Sequence, residues 1–128
     1  MSEPFKIGTY QLGWRWVDVY AEPGHTGGWF YFMPDGGQSH TRIRVGFDYS
    51  DIDDSFCILV HEAMEALIDD AGCRMRPTSN FCRNASDLYR FAFDHNQMTD
   101  IAAKLGCFLW SIRKDFEAAF ELVQETRK

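Results

Sequence analysis

From His40 to Phe47 the chain alternates strictly. Thr41, Ile43, Val45 and Phe47 fall on one side, Arg42 and Arg44 on the other. A period of two predicts a strand with one buried face. Gly13-Trp-Arg-Trp-Val-Asp-Val-Tyr20 alternates broadly enough for another strand, and Trp29-Phe-Tyr-Phe-Met33 is a short aromatic one. The Pro- and Gly-bearing stretches 22–28 and 34–37 separate them as a loop and a turn. After a polar hinge over 48–54 the period changes. Helical spacing runs over about 54–71, with Phe56, Leu59, Val60, Ala63 and Leu67 as the expected core stripe and Gly72 as the stop. Ser50, Asp51, Asp53 and Asp54 are each able to cap this helix, and its dipole favours the acids there.

Downstream, Asp87-Leu-Tyr-Arg-Phe-Ala-Phe-Asp94 predicts one more strand, and Asp94-His-Asn-Gln a cap region for a second helix reaching about Leu109. A Trp-Ser-Ile-Arg segment then leads into a last helix, where Phe116, Ala119, Phe120 and Val123 recur at helical spacing. Strands come first and helices after, with no repeats and no low-complexity linker. The expectation is a single α+β domain over 1–128, a small antiparallel sheet from the N-terminal half packed on two to three helices.

Composition narrows the function classes. The 45% hydrophobic and 25% charged content is that of a globular chain, and the 16% aromatic content supplies much of a core. Thirteen Lys and Arg against nineteen Asp and Glu give a net charge of −6, which argues against non-specific binding to nucleic acid. The first residues, MSEPFKIGTYQLGW, carry no charged segment leading into an apolar run, so no signal peptide is expected. Apolar runs such as 56–60 are too short to span a bilayer. A cytoplasmic compartment follows, with Cys57, Cys73, Cys82 and Cys107 as reduced, structural thiols. The spacing from Cys73 to Cys82 is not that of a zinc knuckle.

The helix itself carries the chemistry. In Ile-Leu-Val-His-Glu-Ala-Met-Glu-Ala-Leu-Ile, residues 58–68, His61 and Glu65 share one helix side with Cβ atoms roughly 5–6 Å apart. The motif H-E-x-x-H presents two zinc ligands at that spacing. Carboxylate oxygen and imidazole nitrogen bind zinc at similar distances, so Glu65 is a competent replacement for the second histidine. Glu62 falls in the slot of the general base that takes a proton from metal-bound water. His95, after an apolar run and at a helix start, is the best candidate for a third ligand. Asp94 or Asp100 would orient it, and His25 and His40 in glycine-rich loops are weaker candidates. The apolar flanks 56–60 and 66–68 imply burial on most of the helix circumference, where an unpaired carboxylate is expensive.

The order of strand (41–47), acidic turn, Val-His-Glu-Ala-Met-Glu-Ala-Leu helix and distal histidine resembles the small zincin-like proteins of bacteriophage genomes, over about 41–109. His61 and Glu62 match the first two motif positions, and Glu65 stands where the family has histidine. The resemblance implies an active-site helix beneath an antiparallel sheet whose edge strand borders the substrate cleft. It also implies a Zn²⁺-dependent hydrolase, with a peptide added along that edge and, if phage-encoded, a host cytoplasm as its setting. A second reading stays open: a non-catalytic, acidic inhibitor of a host protein. Trp14, Trp16, Trp29, Phe30, Tyr31 and Phe32 would then supply its interaction surface.

Overall fold

The computed structural model describes residues 3–32, 40–75 and 90–127. Strand β1 (Phe5–Leu12) turns into β2 (Arg15–Glu22) through Gly13 and Trp14. Gly13 has φ 64°, the glycine-first pattern of a tight II′ hairpin. Strand β3 (Gly28–Phe32) lies at the far edge, and β4 (His40–Gly46) returns between β2 and β3. The order is β1-β2-β4-β3. β1 and β3 pair antiparallel with their neighbours, but β2 pairs with β4 in parallel, Trp16 opposite His40 and Glu22 opposite Gly46. The sheet is therefore mixed, which corrects the expectation of an antiparallel one. A parallel pair needs a long connection, and the chain uses β3 as part of that connection.

Alternation places the core where the sequence put it. Thr41, Ile43, Val45 and Phe47 are fully buried, as are Val17, Val19 and Ala21 beside them. Helix α1 (Ile52–Asp70) packs against β4 and β3, and helix α2 (His95–Thr126) against β1 and α1. Phe47 sits edge-on to Phe116 at 5.1 Å and tilted to Phe120 at 5.4 Å, so the end of β4 is locked to α2 by ring contacts. Ser55 Oγ, itself buried, donates to the Gly46 carbonyl at 2.9 Å and ties the first turn of α1 to the same strand end.

Both helix ends follow their sequence signals. Asp53 and Asp54 occupy the first turn of α1, while the N-cap, Asp51, makes no side-chain cap bond. At the other end Gly72 adopts φ 72°, its N–H donates to the Asp69 carbonyl and that of Cys73 to the Ile68 carbonyl, the two bonds of a Schellman stop. Asp94 and Gln97 form a reciprocal capping box at the start of α2.

Two expectations are corrected here. The segment around Trp110 does not separate two helices: α2 is continuous, because Phe108, Ile112, Phe116, Ala119, Phe120 and Val123 keep one buried stripe through it. Within 87–94 the described strand is Arg90–Phe91 (β6), paired with Arg74–Met75 (β5), and 87–89 lie outside the described residues. In the α1 stripe Leu59, Ala63 and Leu67 are buried as expected, whereas Phe56 and Val60 are half-buried. Cys57 and Cys107 are exposed free thiols and Cys73 a buried one, and Cys82 lies outside the described residues.

Candidate metal centre

Helix α1 presents three donor side chains within a short span. His61 Nε2 lies 3.2 Å from Glu65 Oε2 and 4.0 Å from Glu62 Oε1. One ligand atom from each of the three residues can be chosen so that all lie within 4.8 Å of one another. Their surroundings differ sharply. The His61 side chain is 67% exposed, that of Glu65 17% and that of Glu62 9%. The group is open to solvent on the imidazole side and closed on the Glu62 side.

Gly28 explains the closed side. A Cβ on this residue would meet the Arg44 carbonyl at 2.5 Å, Ile58 Cγ2 at 2.6 Å and Glu62 Cγ at 3.5 Å. The edge strand can lie this close to α1 only because position 28 has no side chain. Glu62 is therefore held at the contact between helix and edge strand. Apart from one exposed strip through Asp53, Asp54, Cys57, His61 and Met64, α1 is buried or half-buried, as its apolar flanks imply.

His95 is not part of this group. It is the first residue of α2 and exposed, and no ligand atom of it joins those of His61, Glu62 and Glu65. Its two proposed supports are engaged elsewhere, Asp94 in the capping box and Asp100 with Lys104 Nζ at 2.7 Å. His25 is exposed, 3.8 Å from Glu22 Oε2, and the His40 side chain lies outside the described residues. Glu62 is the residue for which the fold adds most. Adjacent to His61 in the chain, it reads as a base by motif position; only the fold shows that its carboxylate reaches the other two donors.

A pocket of about 380 Å³ opens beside the group, with His61 and Glu65 in one wall. Comparison with family models, curated proteins and solved structures returned no match to this chain. Function must therefore be argued from the donors and their setting. One imidazole and two carboxylates form a set that zinc accepts, and three protein ligands with a solvent-facing side is the pattern of sites that keep an open position. The residues present fit such an ion. Among the described residues no helix is long and apolar enough to cross a membrane.

Proposed function

We propose that this protein binds a divalent metal ion, zinc first among the choices, through His61, Glu62 and Glu65 on α1. The observation that carries the reading is the convergence of the three donors within 4.8 Å while one of them, Glu62, is buried against the edge strand. A cation placed there would meet two carboxylates and an imidazole at once, a donor set that zinc accepts. In this reading Glu62 is the third ligand, in place of His95. The zincin-like resemblance is supported by the position of α1 against the edge strand, and the parallel β2–β4 pair departs from the sheet it implied. Bound there, the ion would act as a Lewis acid toward a carbonyl or a water on the exposed His61 side, in keeping with a small metal-dependent hydrolase.

Protein prepared without a histidine tag should take up a stoichiometric equivalent of zinc in equilibrium dialysis. His61→Ala and Glu65→Ala should lose it, and Glu62→Gln should weaken it. Full uptake by Glu62→Gln together with loss of hydrolysis would return Glu62 to the role of base. Absence of uptake by the native protein would overturn the proposal.

One observation favours the partner-binding alternative. The sheet face away from the helices carries Trp16 and Trp29, 50% and 41% exposed. Between the strands Arg44 lies 5.5 Å from the Trp29 ring and 5.8 Å from Tyr20, and Arg42 lies 4.8 Å from Tyr20 and 5.9 Å from Tyr31. Such a face suits a protein partner rich in aromatic and acidic groups. Binding that is lost in Trp29→Ala and untouched in His61→Ala would support it.

A further inference from the structure

We infer that the pocket beside the donor group receives the apolar side chain of a ligand whose carboxylate or carbonyl reaches His61 and Glu65. The inference rests on the metal reading for the polar end of that ligand and on the pocket itself for the apolar end. His61 and Glu65 form one wall. Most of the remainder comes from Met64 and Ile68 on α1, Phe91 and Phe93 before α2, and Met98 and Leu105 on α2.

Two observations point to a ligand. Nine large hydrophobic side chains are exposed among the described residues, and four of them, Met64, Phe91, Phe93 and Met98, line this one pocket at 42–49% exposure. Apolar side chains scattered singly need no explanation; a contiguous cluster facing a cavity does. Among the described residues the polar side chains that line the pocket, His61 and Glu65, lie along a single wall, the wall that carries the metal donors. An apolar chamber with polar groups converging at one end fixes the orientation of a ligand that is apolar at one end and anionic at the other.

Size selects the class. At about 380 Å³ the pocket is near the bottom of the range for ligand sites, so it admits one aryl or branched alkyl side chain and not an extended apolar surface. Methionine on two opposing elements lets the walls adjust to either shape. The ligand class is therefore an acyl or peptidyl compound with a bulky apolar side chain next to its carboxylate or carbonyl.

Methyl-¹³C-methionine NMR tests this directly, with Met64→Leu and Met98→Leu assigning the two reporters. In zinc-loaded protein 3-phenylpropanoate should shift both signals and bind about tenfold or more tightly than acetate, since the aryl group alone supplies the difference. Benzyl alcohol, which lacks the anionic head, should shift the same signals with or without zinc. Ala102→Phe, at an exposed helical position lining the pocket, should remove both responses and leave zinc uptake intact. Zinc uptake with neither aryl compound moving Met64 or Met98 would overturn the inference and leave the metal reading standing. No zinc uptake with benzyl alcohol still moving both would overturn the metal reading and the anionic end of the ligand with it, and leave the pocket as a site for the apolar group alone. Concentration-dependent dimerisation that shields both methionines before any ligand is added would also overturn it.

Discussion

Arg15 and Asp70 fix the end of the helix that carries the donor group, and breaking them gives a sharp test of the packing. Arg15 Nε donates to Asp70 Oδ1 at 2.6 Å and to Oδ2 at 2.7 Å, joining the start of β2 to the last turn of α1. The side chains are 15% and 9% exposed, so the pair is neither fully wet nor fully dry. Exposed pairs contribute about 0–1 kcal/mol, and removing one partner of a buried pair costs about 3–5 kcal/mol. Asp70 also stands at the negative end of the α1 dipole, with no basic residue in the last turn to offset it. Arg15→Met keeps the apolar stem and should cost about 2–3 kcal/mol near neutral pH, between those two limits.

The loss should depend on pH. Burial pushes the Asp70 carboxyl above its ordinary value, and the Arg15 guanidinium opposes that rise. A carboxyl raised in the folded state binds its proton more tightly there than in the unfolded chain. Its contribution therefore favours folding as pH falls through the interval between the folded and unfolded values. Without Arg15 the folded value rises further, so the penalty of Arg15→Met shrinks on acidification as Asp70 becomes neutral. Urea denaturation of both proteins at about pH 7 and about pH 4.5 reads this difference directly. A loss below about 0.5 kcal/mol at the higher pH, or one that does not shrink at the lower, would refute the reasoning.

Zinc at about one hundred times its dissociation constant should stabilise the native protein by about 2.7 kcal/mol, a rise of about 10 °C in Tm for a chain of this length. His61→Ala should abolish that rise in differential scanning fluorimetry while leaving the metal-free Tm nearly unchanged, because the side chain is mostly exposed. Gly28→Ala should cost about 1–3 kcal/mol in chemical denaturation, since its Cβ has no space between the Arg44 carbonyl and Ile58. Asp94→Ala should cost about 1 kcal/mol through the lost capping box, and amide exchange should then rise in the first turn of α2 before anywhere else in that helix.

Those parts of the fold that depend on local pattern could be read from the sequence. β4, the span of α1, its glycine stop and the Asp94 cap all follow from neighbouring residues. β1 escaped because its alternation is broken by the irregular register between Lys6 and Gly8, so no clean period of two runs through it. The parallel pairing of β2 with β4 escaped because side-chain alternation is the same in either direction. Continuity of α2 was obscured by the bulky residues around Trp110, although Phe108, Ile112 and Phe116 already mark a single stripe. At the site, His61 and Glu65 were readable because a helix fixes their separation. His95 was not, because its distance from His61 depends on how α2 packs. The apolar pocket draws on two helices and the segment before α2, and no local pattern joins them.

Because β4 lies parallel to β2, the centre of the sheet cannot zip up from a turn. β1 and β2 need only Gly13 and Trp14 between them, whereas β4 reaches β2 after the chain has run out along the edge and come back. Closing so large a loop loses chain entropy before any central hydrogen bond forms. The first hairpin is thus set up to form early, and the central ladder to form late, in a single step that joins distant segments. Burial of Ile43 and Val45 against Val17 and Val19 belongs to that same late step, so the donor helix gains its platform only as the barrier to folding is crossed.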